Sequence, residues 1–198
     1  MVTSSGACGV VTPRHPRRKP KNCLDTLATA RLLGEAISAK HFPEVRSLHS
    51  DLKVMKTISS DGNVLSEETT REHLRQNADH WKEHGFGLWV FRRKSDGRFV
   101  GRGGLKLYEI EGENVVGLAY AVLSDYWNQG FATEMAEASL RIGFETFDFP
   151  EIVLWTLPTN LAAQRVTEKF GFRYIRYGEF AGLWHVFYRL SALEWKGA

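Results

Sequence analysis

Residues 124–134, Ser-Asp-Tyr-Trp-Asn-Gln-Gly-Phe-Ala-Thr-Glu, constrain the fold more than any other stretch. An alternating apolar run over 114–123 enters this short polar loop, and a helix-forming run over 131–147 follows Gly130 at once. The pattern predicts a strand, a tight loop and a helix in direct succession. At such a junction the first N–H groups of the helix have no intrahelical acceptor and point out of its positive end. Phosphates bind there readily. Gly130 lacks a Cβ and can take positive φ, so the main chain can approach an anion closely, and small Ala132 extends that clearance. Asn128, tolerant of left-handed backbone, and Gln129 can donate side-chain amides, and Thr133 a hydroxyl. An ordinary strand-to-helix turn could use the same glycine, so the order of the surrounding elements has to decide.

At 198 residues, with 43% hydrophobic and 25% charged residues, the chain suits one globular domain with a sizeable core. The net charge of +3 is small, and much of the excess falls in residues 14–21. Enzymes of nucleic acids show a broader basic footprint, so no nucleic-acid partner is expected. Cys8 and Cys23 have no CxxC or Cys/His ligand spacing, which argues against a disulfide framework or a metal site and for a reducing, cytoplasmic setting. Residues 1–22 are rich in Gly, Ser, Pro, Arg and Lys, without an apolar run long enough for a signal or a membrane span. They are expected to be a disordered or non-native leader before a single domain over 23–198.

Taken in order, 27–37 reads as a first strand, and 41–55 as one or two short helices with apolar residues at Phe42, Val45, Leu48, Leu52 and Met55. Ser66 is a natural N-cap for a third helix with an apolar stripe of Leu74, Ala78 and Trp81, while His73, His80 and His84 fall on its polar face. Strands over 86–93, 98–108 and 114–123, joined at Ser95-Asp96-Gly97 and Glu111-Gly112-Glu113, make an antiparallel meander. In the helix after Gly130, the small row Ala132, Ala136, Ser139 and Gly143 lets it lie close on a sheet, and Phe131, Met135, Ala138 and Ile142 fill the core beside it. A buried strand over 151–156 then closes a strand–helix–strand crossover. Asn160 caps a helix over 161–170, and 172–180 with 183–190 form a hairpin around Ala181-Gly182. Trp89, Trp155 and Trp184 fall on strands and are expected in the core. The fold class is α+β, or mixed α/β, with helices on the faces of a central sheet.

Three stretches carry a family resemblance: Thr29-Ala-Arg-Leu32, Tyr126-Trp-Asn-Gln-Gly-Phe-Ala-Thr-Glu134, and Asn160-Leu-Ala-Ala-Gln-Arg-Val-Thr-Glu-Lys-Phe-Gly-Phe172. In this order and spacing the chain resembles the GNAT acyl-CoA N-acyltransferases, nearest to the branch acetylating the N-terminal alanine of ribosomal proteins. The resemblance implies a twisted, mostly antiparallel sheet of about seven strands. It also implies acetyl-CoA as co-substrate, with its pyrophosphate held by Asn128, Gln129, Gly130, Phe131, Ala132 and Thr133. The fourth and fifth strands would splay and leave backbone of Val122 and Leu123 free to pair with pantetheine. Asn160 would contact the cofactor arm besides capping its helix.

Acyl transfer to an amine needs a neutral nucleophile, stabilisation of an oxyanion and a proton for the departing thiolate. A backbone N–H at Val122 could serve the oxyanion, and direct attack in a ternary complex is the expected path. The sequence departs from its relatives where many carry a base or an acid: here stand Gly117, Ala163 and Thr167. Substitute candidates on the acceptor side are His49, Glu179, His185 and Tyr188, with Ser124 and Asp125 nearer the loop. The expected function is N-acetylation of a primary amine on a peptide or small molecule; the alternative is an acyl-CoA-binding sensor without the chemistry. The protein is expected to be a monomer or homodimer, with no membrane partner.

Overall fold

The computed structural model describes residues 24–59 and 61–197. The expected leader and both cysteines lie outside the described residues. The elements, in order, are β1 (Thr26–Ala28), β2 (Leu32–Ala36), α1 (Phe42–Ser50), α2 (Leu52–Ile58), α3 (Glu67–His84), β3 (Leu88–Arg93), β4 (Phe99–Ile110), β5 (Glu113–Val122), α4 (Phe131–Arg141), β6 (Glu151–Thr156), α5 (Leu161–Lys169), β7 (Arg173–Phe180) and β8 (Leu183–Ser191). Eight strands form one sheet in the order β1-β2-β3-β4-β5-β6-β8-β7.

The eighth strand comes from the N-terminal segment, where one strand over 27–37 was expected. It is a hairpin instead, with Thr26 opposite Glu35 and Ala28 opposite Leu33. Its turn carries no glycine; the Thr29 hydroxyl closes it by accepting from Leu32 N–H at 2.9 Å.

The meander β3–β4–β5 folds as its turns dictate. Glu111 and Gly112 both take positive φ, 55° and 81°, as a two-residue hairpin turn matched to the strand twist requires. Between β5 and β6 the chain crosses over through α4, and this is the one parallel pairing in the sheet. Helix α4 lies on the sheet through its small row: a Cβ on Gly143 would stand 2.7 Å from Ile152 and Leu105. Ala136, Ser139, Met135 and Leu140 are fully buried around it, and each large apolar side chain so buried stabilises the fold by about 1.5–3 kcal/mol. After Arg141 the helix loosens into a π turn over Ile142–Thr146.

Two sequence expectations are corrected. Trp89 is fully buried, but Trp184 is 63% exposed, because it sits beside the Ala181–Gly182 turn at the end of the edge hairpin, opposite Glu179. His80 is buried, not solvated on a polar face. Pairing of β3 with β4 ends at Leu88 and Gly104, so the edge of β4 beyond it needs another acceptor. His80 Nε2 supplies it, taking the Leu107 N–H at 3.0 Å, while its Nδ1 lies 2.9 Å from the Phe86 carbonyl.

Candidate active site

Strands β5 and β6 share a single register point, Gly117 with Val153. β6 pairs β8 along its whole length on its other edge, and β5 stays paired with β4 as far as Val122, but between β5 and β6 the pairing goes no further. The two strands therefore splay, as expected. Leu123 N–H donates back to Val100 O at 2.9 Å, on the β4 side. Because backbone groups alternate along a strand, the N–H groups of Tyr120 and Val122 point the other way, into the splay. The Val122 carbonyl is engaged there by the Trp127 indole at 2.8 Å, which leaves the Val122 N–H facing the opening.

At the end of β5 the loop is shaped for close approach. Asn128 takes φ 59° and Gly130 φ 80°. Helix α4 starts with no side-chain cap. Its first backbone hydrogen bond runs from Glu134 N–H to Gly130 O, so among the described residues the N–H groups of Phe131, Ala132 and Thr133 have no acceptor. The Gln129 side chain is tied to the loop, donating to Asp125 O at 3.1 Å.

Arg31, in the β1–β2 turn, braces this loop. Its guanidinium donates to Gln129 O at 2.9 Å, lies 4.4 Å from the Phe131 ring centroid and pairs with Glu134 at 2.7 Å. Glu134 also accepts from the Thr29 hydroxyl and from Arg31 N–H. Burial pushes its carboxyl up, but these hydrogen bonds and the guanidinium outweigh it and hold the pKa below the ordinary value. The sequence offered Thr29 and Arg31 only as part of a motif; their partner lies about a hundred residues away, beyond the reach of local pattern.

Asn160 caps α5, its Oδ1 accepting from Ala163 N–H at 3.1 Å, and its amide donates to Thr57 O of α2 at 3.4 Å. It thus joins α2 to α5 beside the splay. Thr167 is fully buried and its hydroxyl donates to Ala163 O at 2.8 Å, which occupies the only proton it could offer. Gly117 has its own steric reason. A Cβ there would stand 2.8 Å from both Trp155 and Tyr108, whose rings meet edge to face at 4.6 Å. The position at which the resemblance implies a carboxylate is walled by aromatic carbon.

Tyr108 and Trp155 mark one face of the sheet, which α1 to α3 cover at its other end. Phe180 and Phe187 join Trp155 at 4.9 and 6.0 Å between ring centroids, and His185 lies 6.2 Å from Phe180. His185 Nδ1 is 2.9 Å from Leu183 O, so Nδ1 is the donor there and Nε2 is the nitrogen turned to other partners. Tyr188 alternates to the opposite face, in the core against α5, where burial pushes its hydroxyl pKa up. Glu179 is exposed on β7. His49 is buried, Nδ1 lying 3.1 Å from a Thr70 hydroxyl that itself donates to Ser66 O; burial and then the charge of Arg102 lower its pKa to about 3.

Residues 31–173 match the family described as "Acetyltransferase (GNAT) domain". The chain belongs to the GNAT acetyltransferases. It is 30% identical over 152 residues to the uncharacterised protein YkkB of Bacillus subtilis, covering 77% of this chain and 80% of that one. Among solved GNAT structures, an acetyltransferase from Bacillus anthracis superposes with a TM-score of 0.69 at 25% identity, over 85% of this chain and 99% of its own. The ribosomal L7/L12 alpha-N-protein acetyltransferase RimL, solved with coenzyme A, shares the fold with a TM-score of 0.68 at 16% identity, over 84% and 97%. The GNAT fold thus accounts for the splayed strands and for the bare helix terminus beside them.

Proposed function

We propose that this protein transfers an acetyl group from acetyl-CoA to a primary amine by direct attack within a ternary complex. The uncapped N-terminus of α4, lying where β5 leaves β6, carries the reading. The N–H groups of residues 131–133 hold the pyrophosphate, with Gly130 leaving room and Asn128 and Gln129 flanking it. Strand β5 offers its free edge to pantetheine at Tyr120 and Val122, and Asn160 lies beside the arm. Leu123, expected to share this role, does not offer its backbone, because its N–H is held by Val100 O and its carbonyl by Tyr126 N–H.

The bound thioester supplies an activated acyl carbon. The amine nitrogen bonds to that carbon as the C–S bond breaks; the thiolate leaves and the nitrogen gives up a proton. Val122 N–H faces the site where negative charge develops on oxygen. With Gly117 walled by rings and Thr167 bonded internally, His185 Nε2 is the group on the acceptor face free to take the amine proton. The protein is cytoplasmic in this reading, which the two cysteines without a disulfide-framework spacing support.

The filled Gly117 seat favours one further reading, an acyl-CoA-binding sensor. Thiol release from acetyl-CoA with a panel of amines, alongside calorimetric binding of coenzyme A, separates the two. Turnover with any amine supports the enzyme, and a drop in its kcat in His185→Ala supports the base. Tight binding without turnover for any acceptor supports the sensor, and no binding overturns both.

A further inference from the structure

Strand β4 turns Gly103 and Leu105 toward α4, so Arg102 and Lys106 point to the opposite face, the one that carries Tyr108 and Trp155. Both cations are half-buried. Among the described residues neither has a hydrogen bond or ion pair with a carboxylate. What Lys106 does meet is aromatic: its Nζ stands 5.7 Å from the Tyr108 ring centroid. Arg102 lines a pocket under α1 and α3 together with His49, His73 and Asn77. Of the side chains lining this pocket His73 feels the charge of Glu72, and Arg75 already holds that carboxylate at 2.7 Å.

Such an arrangement is expensive in an empty protein. A cation drawn from water needs a counter-charge, and buried charges in folded proteins are paired. Burial lowers the pKa of Arg102 and of Lys106, and the repulsion of Arg102 lowers that of Lys106 further. Arg102 pairs across to Ala121 and Lys106 to Gly117, so the two cations flank the stretch of β5 that borders the splay. A planar guanidinium there suits a carboxylate or a phosphate, which it binds through two parallel hydrogen bonds.

Resting on the acetyltransferase reading, we propose that the acceptor amine bears an anionic group, a carboxylate or a phosphate, bound by Arg102 with Lys106 as the second cation. Polyamines and other polycationic acceptors are excluded by the same charges. The amine would then face the thioester while its anionic end is anchored under α1 and α3.

The test measures thiol release from acetyl-CoA with glutamate and O-phosphoethanolamine against glutamine amide, ethanolamine and spermidine. The expected result is a kcat/KM at least tenfold higher for the anionic amines, falling roughly 100-fold in Arg102→Gln and less in Lys106→Met through KM, while affinity for coenzyme A stays within twofold. Better turnover of spermidine, or an anion preference that survives in Arg102→Gln, would overturn the proposal and leave the acetyltransferase reading intact. Should none of these amines react, calorimetry of the coenzyme A complex with glutamate and with O-phosphoethanolamine decides. Heat of binding that is lost in Arg102→Gln supports the anion site, the responding ligand naming carboxylate or phosphate, and no binding of either refutes it.

Discussion

The backbone N–H of Ser124 donates to the Asp51 carboxylate at 2.9 Å. The other carboxylate oxygen accepts from Lys53 and Val54 N–H at 3.0 and 3.3 Å, capping α2. One side chain therefore sets both the start of α2 and the end of β5, where the loop leading to α4 begins. Partial burial pushes its pKa up, but the hydrogen bonds from Ser124, Val54 and Lys53 prevail and hold it low. Asp51→Ala should lower stability in urea by about 1–3 kcal/mol and weaken coenzyme A binding, because the loop loses its anchor. Asp51→Asn keeps the cap but sets an amide against Ser124 N–H, and should fall between. Wild-type behaviour of Asp51→Asn in both assays would show that the Ser124 bond contributes nothing.

Gly130 is the second point at which the backbone itself is tested. At φ 80° a side chain is strained whatever the space, and its Cβ would also approach Arg31 at 3.4 Å. Gly130→Val should lower stability by about 1–2 kcal/mol and raise the Kd for coenzyme A more than tenfold, since the added carbons stand where the diphosphate must pass. Unchanged affinity in a folded variant would mean that the anion does not sit on these amides.

Most of this site was legible because its signals are local. Gly130, the alternating run before it and the capping Asn160 each act on neighbours a few residues away, and the structure keeps all three where the sequence put them. The misses share a different cause. The turn at Thr29 to Arg31 has no glycine or proline, since Glu134 closes it from across the fold. His80 looked solvated because its partners, Phe86 O and Leu107 N–H, come from the ends of other elements. Arg102 and Lys106 carried no local mark, because what singles them out is the lack of a carboxylate nearby in space.

The surroundings of Gly117 leave no room for the carboxylate that the family resemblance implies at this position. In Gly117→Glu the new side chain would meet Trp155 and Tyr108 at 2.8 Å; overpacking of this kind costs about 1–3 kcal/mol. The melting temperature should fall and kcat for any amine should not rise. Pairing it with Trp155→Ala opens the seat and should recover part of the stability. A single variant that gained rate at wild-type stability would show the rings to be movable and the steric account mistaken.

His80 makes the fold sensitive to acid. Donating from Nδ1 to Phe86 O and accepting Leu107 N–H at Nε2, the ring can serve both only while neutral. Burial first, and then the neighbouring His84, lower its pKa from 6.5 to about 4. Above pH 6.5 the folded and unfolded chains hold the same proton count at this residue, so stability there is flat in pH. Below it the unfolded chain takes up a proton that the folded one refuses, and stability declines as pH falls toward the folded value of about 4, by roughly 3 kcal/mol. Urea midpoints from pH 7.5 to 4.5 should show this decline. His80→Gln can make both hydrogen bonds without titrating, so it should keep most of the stability at pH 7.5 and flatten the slope, whereas His80→Leu should be destabilised at every pH by the orphaned N–H and carbonyl. His49, lowered to about 3, and His73, lowered by burial, add declines of the same sign, which remain as the residual slope in His80→Gln; a slope as steep as the wild type's would clear His80 of the effect.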